Sequence, residues 1–178
     1  MLINFVNKIL SLGTIVSQIF IIWVILHLIF FRKSKNPLSE FVTKHWMALS
    51  FTVALASVAA SLFYSEIAGF EPCFLCWYQR IFMYPLVILL FIALLKKYAG
   101  IVDYVLPLAV IGGAISLYHN IIYYYQGGLP TPCQALGQVS CVKLYVFEFG
   151  YITIPVMALT GFALIIIFTV FAKTKKYN

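Results

Sequence analysis

Apolar positions in this chain fall into five long runs separated by short polar or charged stretches: residues 9–31, 46–65, 77–95, 104–125 and 149–172. A helix needs roughly 20 apolar residues to cross the hydrocarbon core of a bilayer, so each run predicts a transmembrane α-helix. Only the third contains a charged residue, Arg80, near its first turn. The first run is longer than the apolar region of a signal peptide, and no small-residue cleavage site follows it. Phe30, Phe31, Arg32 and Lys33 come next instead. It is read as a retained span with its N-terminus outside.

Local signals refine these elements. Residues 96–103 form a short connection, which predicts that spans three and four pack as an antiparallel hairpin. Asp103 suits the N-cap of span four, with Pro107 in its first turns. Pro85 and Pro155 fall inside runs and predict kinks. Gly112 and Gly113 predict close helix approach. Tyr123, Tyr124 and Tyr125 read as an aromatic belt at the outer interface. The stretch Gly127-Gly128-Leu129-Pro130-Thr131-Pro132 predicts a mobile, non-helical lead-in to Cys133. Residues 142–149, aromatic and weakly charged, suit a segment along the outer interface.

Composition agrees with a membrane protein and excludes a soluble one. Of the 178 residues, 63% are hydrophobic and 10% charged, against about 45–50% and about 25% in soluble domains. The mean hydropathy is +1.01. A net charge of +7 raises the question of nucleic acid, but apolar runs separate the basic residues, and none is expected to bind. Arg32, Lys33, Lys35 and Lys44 lie between spans one and two. Lys96 and Lys97 lie between three and four, and Lys173, Lys175 and Lys176 follow five. Lys8, Arg80 and Lys143 are on the other side. The positive-inside rule makes the richer side cytoplasmic. Two cysteine pairs, Cys73 with Cys76 and Cys133 with Cys141, are two spans apart and so share one face. The charge rule puts that face outside, where disulfides persist.

The strongest chemical signal is Glu71-Pro72-Cys73-Phe74-Leu75-Cys76-Trp77-Tyr78-Gln79-Arg80. Pro72 suits a helix start, which puts Cys73 in a first turn where unpaired amides favour a thiolate. Positions 73, 76 and 80 share one helical face, so a guanidinium lies one turn below Cys76. The second pair brackets small and polar residues, suited to exchange with an outside protein through a mixed disulfide. Two pairs on one face suggest a relay of electrons from Cys133–Cys141 to Cys73–Cys76. No haem, iron–sulfur or dinucleotide motif takes them onward. A lipid-soluble two-electron acceptor fits, and a quinone is one. Other readings stand beside this one. The cysteines also suit structural staples. C-x-x-C also suits zinc, although the second pair is spaced too widely and Arg80 opposes a dication. Arg80 also suits a snorkelling anchor. A transporter would carry acidic groups within its spans, whereas Glu40, Glu66, Glu71, Asp103 and Glu148 lie at span ends or in loops.

The segment from Cys73 to Arg80, with Met83-Tyr84-Pro85 after it, resembles the DsbB family of membrane thiol oxidases, in particular its small BdbC-type members. Tyr118-His119-Asn120, Pro132-Cys133 and the run from Phe149 to Pro155 are also similar. The C-x-x-C precedes the loop pair, unlike the vitamin K epoxide reductase family, where it comes late. The resemblance implies an all-α membrane protein. A four-helix transmembrane bundle at 46–172 would form the catalytic core. An extra N-terminal transmembrane helix and basic loop occupy 1–45, and a basic tail 173–178. It implies a bacterial inner-membrane enzyme that reoxidises a DsbA-like thioredoxin-fold partner and reduces membrane quinone, either ubiquinone or menaquinone. By the same resemblance Cys133 receives attack from the partner, Cys141 then attacks Cys73, and Cys76 faces the quinone with Arg80 and His119 nearby. The opposite electron flow and a non-enzymatic membrane scaffold are the rival functions.

Overall fold

The computed structural model describes residues 2–30, 37–125 and 140–176, with side chains except at 27–30, 37–39 and 174–176. Five helices carry the chain: α1 (Leu2–Phe30), α2 (Pro37–Leu62), α3 (Phe74–Lys96), α4 (Val102–Tyr124) and α5 (Ile154–Lys176). All five are long and apolar enough to cross a membrane. A helix satisfies its own backbone groups, which a bilayer cannot do for it. Among the described residues the only β pairing is one isolated bridge, between Glu148 and Ile152.

Helices α2 to α5 form a four-helix bundle in which α2 and α4 each pack on both α3 and α5. Ala54, Leu86, Leu90, Val105, Ala109, Phe162 and Ile165 meet at its centre without exposure. Close approach of α4 and α5 depends on Gly112, where an added Cβ would lie 2.3 Å from the Phe162 ring. Helix α1 stands outside this bundle and packs along α5. Leu12, Val16 and Ile19 face outward, while Asn7, Ser11 and Thr14 form a buried polar stripe at helical spacing. Burying apolar surface does not drive helices together in lipid, so packing and polar contacts must do so. Here the Gln18 amide nitrogen donates to Thr160 Oγ1 at 3.2 Å. The Tyr151 hydroxyl donates to Gln18 Oε1 at 2.7 Å, and Phe20 packs on Phe168.

Several boundaries differ from the sequence expectation. Helix α1 begins at Leu2, since the single charge of Lys8 does not interrupt its backbone bonding. Helix α5 begins at Ile154 rather than at 149, because Phe149 and Gly150 both have positive φ and reverse the chain. Pro155 therefore sits in a first turn, where its missing N–H costs nothing and no kink is required. Asp103 is not a cap: a 3-10 turn at Ala99–Ile101 leads straight into α4. Its carboxylate instead meets Lys173 at 3.4 Å, tying α4 to α5. Tyr123 is buried, which leaves Tyr124 and Tyr125 exposed at that level. The α3–α4 hairpin forms as expected, turned by Lys97 in a left-handed conformation. The lead-in at 127–132 and Cys133 lie outside the described residues.

Candidate functional site

The site is built on the N-terminus of α3. Cys73 is its N-cap rather than a first-turn residue, with extended backbone and a sulfur that accepts the Cys76 amide at 3.4 Å. Pro72 thus precedes the cap. The i, i+3 spacing across this cap brings Cys73 Sγ and Cys76 Sγ to 2.7 Å, and both thiols are free. The Cys76 S–H bond holds the Cys73 thiol below the ordinary cysteine range. His119 and the Cys76 amide add to that effect against opposing burial.

His119 arrives from α4 and is almost fully buried. Its Nε2 lies 3.1 Å from the Cys141 carbonyl oxygen and 3.8 Å from Cys73 Sγ. A carbonyl only accepts, so Nε2 carries the proton. In a neutral ring Nδ1 must then accept, and the Gln79 amide nitrogen is 3.0 Å from it. Gln79 therefore fixes the tautomer that points a donor at Cys73. This role for Gln79 was missed in the sequence. The signal available was an uncharged amide inside an apolar span, where it must find a partner.

Arg80 is 9% exposed and does not run outward along the helix surface. Its Nε donates to Ser61 Oγ and its Nη2 to the Ser61 carbonyl, both at 2.9 Å. The guanidinium also lies 5.1 Å from the Trp77 ring centre. Ser61 is close to the end of α2, just before the chain passes into a π-helical turn at Phe63–Ile67. Such turns concentrate at functional sites. Nothing local in the sequence joins Ser61 to Arg80.

The fourth contributor is the segment after the second pair. Cys141 is disulfide-bonded and buried, and its sulfur lies within 4.8 Å of both Cys73 Sγ and a His119 ring nitrogen. A ladder of rings pins this segment beside the C-x-x-C: Tyr64 stacks on Phe70, and Phe70 on Tyr145 at 4.6 Å. The Tyr145 hydroxyl donates to the Glu71 carbonyl. Of the residues singled out in the sequence, Cys73, Cys76, Arg80, His119 and Cys141 come together; Cys133 lies outside the described residues. Cys73, His119 and Cys141 are spaced as metal ligands could be. However, a disulfide-bonded sulfur is not a thiolate ligand, and the His119 ring nitrogen nearest the sulfurs is the one protonated toward the Cys141 carbonyl.

Two cavities meet at α3. One, of about 70 Å³, is lined by Cys73, Cys76, Arg80, His119 and Cys141. The other, of about 380 Å³, reaches from Cys76, Gln79 and Arg80 toward α1, α2 and α5. Cys76, Arg80, Ser61 and Tyr64 border both, whereas Cys73, His119 and Cys141 border only the smaller. The Tyr64 hydroxyl at this boundary is buried and has no hydrogen-bond partner among the described residues.

The model of the family described as disulfide bond formation protein DsbB matches residues 43–172. The chain is 46% identical over 129 residues to disulfide bond formation protein C of Bacillus subtilis (strain 168), covering 71% of this chain and 91% of that protein. It is 52% identical over 102 residues to probable disulfide formation protein C 1 of Bacillus anthracis, covering 57% and 73%. A probable disulfide formation protein of Metapseudomonas resinovorans is 36% identical over 143 residues, covering 79% and 97%. No solved structure matches. A C-x-x-C at a helix start in a bundle of membrane-length helices, with this match across the bundle, means that the chain belongs to the DsbB family, disulfide-generating oxidoreductases of bacterial membranes.

Proposed function

We propose that this protein is a thiol:quinone oxidoreductase that reoxidises a DsbA-like thioredoxin-fold partner on the extracytoplasmic side. The observation that carries the reading is the division between the two free sulfurs. Cys73 faces Cys141 in the smaller cavity, while Cys76 also faces the larger, mostly apolar one. The catalytic core is 46–172, with 1–45 as an added helix and loop and 173–178 as a cytoplasmic tail.

In the proposed cycle a partner thiolate attacks Cys133, breaks the Cys133–Cys141 bond and releases the Cys141 thiolate. The second partner thiol resolves the mixed disulfide, leaving the partner oxidised and Cys133 reduced. The Cys141 thiolate attacks Cys73 of an oxidised Cys73–Cys76 pair, forming Cys73–Cys141 and releasing Cys76 as a thiolate. The Cys133 thiolate then attacks Cys141, which restores Cys133–Cys141 and frees Cys73. The Cys73–Cys76 dithiol passes two electrons and two protons to a quinone, giving a disulfide and a hydroquinone. A sulfur-to-sulfur distance under 4.8 Å between Cys73 and Cys141 supports the central exchange. His119 donates toward Cys73 and stabilises its thiolate, and Arg80, held by Ser61, stabilises negative charge on Cys76 or on the reduced quinone.

Anaerobic mixing of the reduced, purified protein with a soluble quinone analogue tests this. Thiol loss and hydroquinone formation are expected in step, two thiols per hydroquinone. Disulfides indifferent to quinone would favour a scaffold.

A further inference from the structure

Helix α1 lies outside the segment that matches the family, yet it forms one wall of the larger cavity. Leu10, Gly13, Thr14 and Ser17 face the space that Cys76 and Arg80 face from α3. The wall is held in rotation and register by the Gln18 contacts to Thr160 and Tyr151. Gly13 is the informative position. An added Cβ there would meet nothing within 4 Å, in contrast to Gly112, where it would strike Phe162. Glycine within a helix costs about 1 kcal/mol relative to alanine, and no neighbouring side chain or backbone requires it at 13. Its effect is to leave the cavity wide. Helices α1 and α2 face each other across this space without packing closely together.

The volume of about 380 Å³ falls in the range, roughly 300–1,000 Å³, of small-molecule sites. Most of the lining is apolar, which suits the flat faces of a quinone ring and the start of its hydrocarbon chain. The polar groups are few and sited for the ring oxygens. Arg80 offers N–H donors from α3. Thr14 and Ser57 donate to their own helix carbonyls, so their oxygens can only accept, which suits the hydroxyls of a reduced ring rather than quinone carbonyls.

We propose that α1 is a wall of the quinone site, and that its face around Gly13 sets how readily a quinone reaches Cys76. The inference rests on the thiol:quinone reading above. Its test begins with quinone reduction by the wild-type protein, using 2-methyl-1,4-naphthoquinone and a short-chain benzoquinone. Gly13→Leu then places four carbons in the cavity, and KM for both quinones should rise about tenfold or more. Gly13→Ala should fall between. Leu12→Phe, on the outward face, should stay within about twofold of wild type. Thiol exchange with the partner should be unchanged in all three. Photolabelling of the wild type with an azidoquinone, followed by peptide mapping, should place adducts within residues 9–17, and does not depend on any variant folding. A wild type unable to reduce quinone would overturn the thiol:quinone reading itself. Wild-type turnover with an unchanged KM in Gly13→Leu, or adducts confined to α2, α3 and α5, would overturn the role of α1 alone.

Discussion

Replacing Arg80 with Met removes a buried cation while keeping a long apolar side chain on α3. Two hydrogen bonds to Ser61, each of 2.9 Å, and the contact with Trp77 are lost. The Ser61 carbonyl keeps an acceptor role toward the Ser65 hydroxyl, so the end of α2 is not stranded. A bond to a charged group contributes about 1.5–3 kcal/mol, and about 1.4 kcal/mol corresponds to tenfold in rate. If the guanidinium stabilises charge as electrons leave Cys76, kcat/KM for quinone should fall on the order of ten- to a hundredfold. Exchange between the partner and Cys133–Cys141 should be nearly unchanged, since the hydrogen bonds of Arg80 go to Ser61 and not to Cys141. Arg80→Lys should recover only part of the loss, because one ammonium cannot span both the hydroxyl and the carbonyl of Ser61 as the planar fork does. Ser61→Ala keeps the charge and one bond, so its loss should be about two- to tenfold. Stopped-flow quinone reduction, with inserted protein quantified for each variant, measures all three. Full turnover by correctly inserted Arg80→Met would refute the charge argument and reduce Arg80 to a structural tie between α2 and α3.

Other expectations follow from the same geometry. After reduction, a membrane-impermeant thiol reagent should reach both cysteine pairs from outside; labelling from opposite sides would end the relay. Cys141→Ser should accumulate a covalent complex between Cys133 and the partner, visible on non-reducing gels. Were Cys133→Ser to trap the partner instead, the two roles would be exchanged. Cys73 sits below the ordinary thiol range, so in the reduced protein its alkylation should persist as pH falls below about 8.5, the value for a free cysteine. His119→Phe removes one of the groups that lower it and should move the midpoint of the rate–pH curve upward. An unmoved midpoint would make His119 a packing residue.

Five spans were legible because an apolar run of membrane length has few alternatives, whereas the grouping of four of them into a bundle came from the family resemblance. The ends were less so. At 149–153 the chain is as aromatic and apolar as a span, and composition does not reveal that Phe149 and Gly150 reverse its direction. The C-x-x-C with Arg80 was legible because its spacing is local to one helix. Its contacts were not: Ser61 is 19 positions from Arg80, and His119, singled out only through the resemblance, is 40 from Gln79, so these bonds exist only once the helices pack. The contribution of α1 was hidden for a different reason. Its sequence reads as a plain membrane span, and Gly13 acquires meaning only from the empty space beside it.

The position of Cys76 on the border of two cavities has a consequence for selectivity in time rather than in binding. A molecule in the larger cavity touches one sulfur of the four and none of the others described. An oxidant held there would meet Cys76 before Cys141, which borders only the smaller cavity. Under the proposed cycle, electrons cross as a bond rearrangement at Cys73–Cys76, two at a time. On that proposal the bundle would act as an insulator with a single switch, keeping a reactive lipid-soluble oxidant from reacting indiscriminately with thiols outside. Leakage, where it occurs, should scale with anything that widens the border at Cys76, Arg80, Ser61 and Tyr64, and not with the affinity of either cavity for its occupant.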